Sequence, residues 1–168
     1  EVFGITEKLS GGSAQKIYDQ LLAKLQSAEF LPRALFDRFR IEVLTTTDGA
    51  ADSLSYHRKI KESGWTGRVL PAFRPDAVIN LSAAGWQAEI GKLEKVTGRN
   101  ISSFREFLTA LEERRSFFKS MGATSTDQGV FSPYTHKLST AEVEAIFKRG
   151  LHAQADEKDA AAFTGHML

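Results

Sequence analysis

The sequence predicts an α/β fold with parallel strands. Three short β-type runs, Ile41–Thr46, Arg68–Phe73 and Ala123–Thr126, alternate with helical patterns. An order of strand–helix–strand–helix–strand–helix implies parallel strands joined by right-handed crossovers. Apolar residues run nearly without interruption through these strands, which favours a sheet covered on both faces, as in a barrel or a doubly wound fold.

Each element has a local cause. Ser13 stands where it can cap a helix carrying Ile17, Leu21, Leu22 and Leu25 on one stripe. Pro32 suits the first turn of a short helix reaching Phe39. The β-branched run Ile41–Thr46 reads as a strand ended by Asp48-Gly49, followed by a helix over Ala50–Ser63 that Gly64 stops. The second strand, Arg68–Phe73, is followed by a looser polar stretch over 77–99, with a helix between Ala83 and Val96. Ser103 and Glu106 have capping-box spacing and open a long helix to about Met121, with Phe104, Leu108, Leu111 and Phe118 on one face. Gly122 takes the position of a C-terminal cap. After the weak third strand come helices over Thr140–Arg149, where Ser139 and Glu142 repeat the capping-box spacing, and from Asp156 onward.

Composition narrows the function classes. The 168 residues are 42% hydrophobic and 26% charged, enough for one domain with a real core. A net charge of +1 leaves no electrostatic footprint for nucleic acid or an anionic membrane. No run approaches the roughly 20 apolar residues of a spanning helix. The absence of cysteine excludes disulfides and thiolate metal sites. A cytoplasmic protein is the expectation. Both ends read as cut, because the chain starts at Glu1 without methionine and stops at Leu168 inside a helical pattern.

Three polar residues follow the three strands. Arg74 ends the run Arg68-Val-Leu-Pro-Ala-Phe-Arg74, and Pro75 keeps it out of helical geometry. The rim past the carboxyl ends of parallel strands is where ligands bind, and a fixed guanidinium fork there suits a carboxylate or a polyhydroxy substrate. Pairing with Asp76 is its structural alternative. Asp48 and Asp127 follow the first and third strands, so the expectation is two carboxylates and a guanidinium emerging at one edge. Asp48 also fits a helix-capping role, and Asp127-Gln128-Gly129 also fits a simple turn.

Other site chemistries find no support. The four histidines have no metal-ligand spacing, and His57 reads as a surface or packing residue of its helix. There is no phosphate-binding glycine loop, no dinucleotide fingerprint and no nucleophile elbow. The chain itself is expected to hold no metal ligand set.

Several segments together resemble the central part of uronate (glucuronate) isomerase, in the amidohydrolase superfamily. They are Phe3-Gly4-Ile5; Thr46-Thr47-Asp48 with Asp52-Ser53-Leu54 and His57; Val69-Leu70-Pro71 with Phe73-Arg74-Pro75-Asp76; Phe117-Phe118-Lys119-Ser120-Met121-Gly122; and Thr126-Asp127. The resemblance implies a metal-dependent (β/α)8 TIM barrel that interconverts D-glucuronate with D-fructuronate and D-galacturonate with D-tagaturonate through an enediol. On it, residues 1–39 are a helical insertion and 40–168 a partial barrel carrying strands two to four. It implies that Arg74 binds uronate oxygens after the third barrel strand. It also implies that Asp127 acts after the fourth, orienting a substrate hydroxyl or a neighbouring side chain, and that Asp48 supports binding from the second.

The resemblance also implies a divalent metal, zinc in the expected case, with ligands outside these 168 residues. Gln128 stands where family members commonly have histidine, and Gly49-Ala50 where Asp-Pro is common. An incomplete barrel leaves open strand edges, so the expected assembly is a homo-oligomer and the isolated chain is expected to be inactive. The second reading, from a different class, is a binding or interaction module derived from the same fold.

Overall fold

The computed structural model describes residues 2–130 and 133–168. The order of elements is α1 (Ala14–Leu25), a 3-10 turn (Ala28–Phe30), α2 (Pro32–Arg38), β1 (Val43–Gly49), α3 (Ser55–Glu62), β2 (Arg68–Arg74), α4 (Asp76–Ile79), α5 (Trp86–Thr97), α6 (Phe104–Ser120), α7 (Thr140–Leu151) and α8 (Glu157–Met167). The chain divides into two compact units. One holds residues up to Leu44 with Thr66–Arg68, the other Thr45–Trp65 with Val69–Leu168.

The first unit is helical. Pro32 occupies the first turn of α2, as its missing N–H and fixed φ favour. Phe30 is buried, stacks on Phe3 at 4.8 Å between centroids, and carries the Arg38 guanidinium 5.3 Å above its ring. Ser13 precedes α1 as expected but does not cap it: its hydroxyl donates to the Lys8 carbonyl at 2.7 Å instead. No residue of α1 is fully buried, and Tyr18, Leu22 and Leu25 of its apolar stripe are exposed.

The second unit carries the sheet and the main core. β1 and β2 are parallel neighbours. The third predicted strand is reduced to a single parallel bridge between Phe73 and Thr126. Around it the Phe73 N–H donates to Ser125 O at 3.3 Å and the Asp127 N–H to Phe73 O at 3.0 Å. The expected three strands are therefore two strands and one bridge. Thr124, Ser125 and Thr126 are short, exposed and paired along one side only, so no ladder extends beyond that point.

Other boundaries also differ from expectation. β1 continues through Asp48 and Gly49 rather than ending before them, and α3 begins only at Ser55. Asp52, not Asp48, supports the start of that helix: its Oδ1 accepts the Leu54 N–H at 2.6 Å, where Leu54 takes the left-handed φ of 53°. The stretch read as loose contains the short helix α4 directly after Arg74-Pro75.

α6 is capped as predicted, the Ser103 hydroxyl accepting the Glu106 N–H, but its buried face is Phe104, Phe107, Leu111 and Phe118. Leu108 is exposed; Phe107, one position earlier, takes its place in the core. α7 carries the full Ser139–Glu142 capping box. Phe104, Phe107, Phe147 and Phe163 from α6, α7 and α8 pack ring on ring at 5.1–6.3 Å. Trp86 closes the cluster, its indole N–H donating to Val78 O at 2.8 Å. This aromatic core is a rigid backing for β2 and the residues that follow it.

Candidate functional site at the carboxyl end of the strands

Side chains alternate across a strand, and that alternation sorts the polar residues into two groups. Phe73 turns to the helices, meeting Phe118 of α6 edge-on at 5.1 Å. Arg74, the next residue, therefore projects from the opposite face, at the last position of β2.

On that face Arg74 meets Asp127. Nη2 of Arg74 lies 2.6 Å from Oδ2 of Asp127, and Nε lies 3.4 Å from Oδ2 of Asp76. The Thr47 hydroxyl reaches the same Asp127 oxygen at 3.4 Å. Oδ2 of Asp76 accepts the Gly129 N–H at 2.8 Å, which pins the turn after Asp127. Gly129 has no spare room: a Cβ there would stand 3.0 Å from Asp76 Oδ2. Among the described residues, Nε of Arg74 and Oδ1 of Asp76 are buried atoms without a hydrogen-bond partner. The guanidinium itself stays more than one-third exposed, so one fixed cation faces solvent between two carboxylates.

Asp48 sits at the same end of the sheet but on the helix-facing side. The Thr46 hydroxyl donates to Asp48 Oδ2 at 2.7 Å and lies 2.8 Å from Nε2 of His57 in α3. A hydroxyl has one proton and an ionised carboxylate only accepts, so His57 must present Nε2–H to the Thr46 oxygen. His57 and Asp48 are both largely buried, with Nε2 3.7 Å from Oδ2. The sequence reading brought Asp48, Arg74 and Asp127 to one edge; the structure pairs Arg74 with Asp127 and gives Asp48 to Thr46 and His57. Asp48 stands within β1, where period-two alternation rather than a loop sets its direction.

Two residues were missed as members of these groups. His57 reads as a surface or packing residue because Arg58 and Lys59 adjoin it; it lies in the first turn of α3, largely buried, and meets Thr46 of β1. Thr47 gave no signal beyond its place beside Asp48; strand parity puts it with Arg74.

Arg114 of α6 braces the loop that leaves β1. Buried at 7% exposure, it donates from Nε to Ala50 O at 2.8 Å and from Nη2 to Asp52 O at 2.6 Å. Its guanidinium lies 4.3 Å from the Phe117 ring centre. Burial draws its pKa below the usual arginine value, and nearby Asp52 opposes the shift.

A cleft of about 450 Å³ opens beside Asp76, lined also by Asn80, Gly129, Tyr134 and Thr164. A larger groove of about 720 Å³ follows Phe73, Phe118 and Thr124–Thr126 along the open side of the bridge. Its lining includes neither Arg74 nor Asp127, so size and chemistry separate here. Among the described residues no three His, Asp or Glu side chains gather where one metal ion could bind. The residues present do not fit a metal centre.

The chain is similar to known proteins along its whole length. A family model described as glucuronate isomerase matches residues 1–168. The chain is 53% identical to a uronate isomerase of Nostoc punctiforme over 167 residues, covering 99% of this chain and 35% of that protein. A uronate isomerase of Mesorhizobium japonicum is 43% identical, with 99% and 36% covered. The crystal structure of glucuronate isomerase from Caulobacter crescentus superposes with a TM-score of 0.90 at 39% identity, covering 99% of this chain and 35% of that one. The uronate isomerase structure from Thermotoga maritima gives 0.85 at 26% identity, covering 98% and 36%. The chain spans about 35% of the length of the curated relatives it matches.

Proposed function

Because the chain belongs to the glucuronate isomerase family, we propose that it forms part of a uronate isomerase that interconverts aldose and ketose sugar acids through an enediol. Its place is in a (β/α)8 barrel of the amidohydrolase type, with residues 40–168 supplying strands two to four and 1–39 a helical insertion. The parallel β1–β2 pair and the two solved relatives support that architecture.

The observation that carries the reading is the Arg74–Asp127 pair at 2.6 Å, held at the last residue of β2 on the face opposite Phe73. A uronate brings a carboxylate and a row of hydroxyls. Arg74 supplies a planar, always-charged donor for those oxygens. Asp127 fixes the guanidinium and accepts from a substrate hydroxyl, which orients the sugar for transfer of a proton between C2 and C1. Asp48 supports binding indirectly, by anchoring the end of β1.

A divalent metal, zinc in this reading, belongs to the complete enzyme with ligands from outside this stretch. The residues here bind and orient the sugar acid. The enzyme acts on a small-molecule uronate in the cytoplasm and assembles as a homo-oligomer; the edge beside Thr126 is covered by the next strand in the complete barrel and requires another cover only in the isolated stretch.

The test is conversion of D-glucuronate and D-galacturonate to their ketoses by the full-length enzyme, with and without Arg74→Ala. Turnover in the wild type and loss of at least about tenfold in kcat/KM in the variant are expected for a lost charge-assisted contact. Unchanged kinetics in a folded Arg74→Ala protein would remove the assignment.

A further inference from the structure

We infer that Thr47 is a substrate-specificity residue whose hydroxyl binds a hydroxyl group of the sugar acid beside Arg74 and Asp127. This rests on the uronate isomerase reading above. Four observations carry it.

Thr47 shares a strand face with the Arg74–Asp127 pair and is exposed there. Its contact with Asp127 is 3.4 Å, longer than the ~2.7–2.8 Å at which an O–H donor is fully engaged. Its proton is therefore available to a better-placed acceptor, and among the described residues no other hydrogen bond engages the hydroxyl.

Gly49, two residues on and hence on the same face, has open space where a side chain would stand: a Cβ there meets nothing within 4 Å. Gly49 therefore puts no side chain of its own between Thr47 and a ring hydroxyl, as a larger residue at 49 would.

The position is also held from behind. Thr46, beside it, is tied to His57 on the helix side at 2.8 Å and holds Asp48 at 2.7 Å, so β1 cannot turn Thr47 away without breaking the Thr46–His57 contact.

Chemistry completes the case. Arg74 only donates and ionised Asp127 only accepts; Thr47 does both. It is the group in this cluster that reads the orientation of a neutral hydroxyl, the feature by which epimeric uronates differ.

The experiment uses full-length isomerase carrying Thr47→Val, which keeps the shape and removes the hydroxyl, and Thr47→Ser, which keeps the hydroxyl. Dissociation constants and kcat/KM are measured for D-glucuronate and D-galacturonate, with Thr47→Val repeated in an Asp127→Asn background. Thr47→Val should weaken binding of at least one uronate by about 3- to 12-fold, the range of one net hydrogen bond. It should also change the ratio between the two uronates, at unchanged Tm, while Thr47→Ser stays within about twofold of wild type. The loss should persist with Asp127→Asn. Equal binding by Thr47→Val overturns the inference, and so does a loss that vanishes in the Asp127→Asn background, since Thr47 then acts only through Asp127. A wild-type enzyme that turns over no uronate fails the functional reading itself, a different result from an active enzyme indifferent to Thr47.

Discussion

Nη2 of Arg74 and Oδ2 of Asp127 stand 2.6 Å apart, joining the last residue of β2 to the residue just past the bridge at Thr126. Asp76 lies on the other side of the same guanidinium, 3.4 Å from Nε. The fork is therefore anchored by Asp127 at one end and faces the Asp76 charge at the other, and a substrate meets it already oriented.

Lysine at position 74 should not replace arginine. An ammonium is a point charge and cannot face Asp127 and Asp76 together while leaving a planar edge for a carboxylate. Arg74→Lys in the full-length enzyme is expected to lower kcat/KM by about 10- to 100-fold, the scale of a lost charge-assisted contact. The Tm should move little because the side chain is more than one-third exposed. Steady-state kinetics beside a thermal melt separates the two effects.

The Thr46–His57 contact makes a prediction about shape. Glutamine places its amide N–H near the position of imidazole Nε2, whereas asparagine reaches only as far as Nδ1. His57→Gln should keep the hydrogen bond to Thr46 and most of the stability. His57→Asn or His57→Ala should cost about 1–3 kcal/mol by taking the donor from the part-buried Thr46 oxygen beside the largely buried Asp48 carboxylate. Equal midpoints for the glutamine and alanine variants in urea unfolding would show that the contact contributes nothing.

Arg114 is expected to be the most sensitive single position near β1. Arg114→Met keeps much of the packing on Phe117 and leaves the carbonyls of Ala50 and Asp52 without their donors. A loss of about 1–3 kcal/mol follows from leaving one buried and one partly buried acceptor without their donor. Amide exchange should rise first in the 50–54 loop, which a hydrogen-exchange comparison would resolve.

The helices were the legible part of the sequence. Ser103 with Glu106 and Ser139 with Glu142 announce α6 and α7 through local chemistry, and both caps form. The place of Arg74 at a strand end was legible for a similar reason: an arginine ending an apolar run before proline leaves few conformations open. What could not be read was direction. Whether Asp48 joins Arg74 or His57 depends on where β1 ends and thus on strand parity; a strand ended at Thr46 leaves Asp48 in a loop, free of parity. The third strand failed for another reason. Ala123–Thr126 has enough β character to pair once with β2, but it has only β2 to pair with, and no local pattern reports a missing neighbour.

The last prediction concerns acid. Arg149 of α7 clasps Asp159 of α8 with two hydrogen bonds, Nε to Oδ2 at 2.7 Å and Nη2 to Oδ1 at 2.5 Å. Chiefly through these bonds, and despite partial burial, the Asp159 carboxyl is held below its ordinary pKa. A carboxyl depressed in the folded state contributes stability that is fully present above the unfolded value, about 3.9, and is lost as pH falls through the lower folded value. Replacing Asp159 with asparagine should therefore cost a constant amount between about pH 5 and 8, with the gap to wild type closing below about pH 4. Arg149 is more than two-fifths exposed, so solvent screening keeps that cost small, and added salt should shrink it further. Urea midpoints for both proteins across pH 3–8 decide the matter: a gap that widens in acid would mean that Asp159 is not the depressed group and that the α7–α8 clasp works by packing alone.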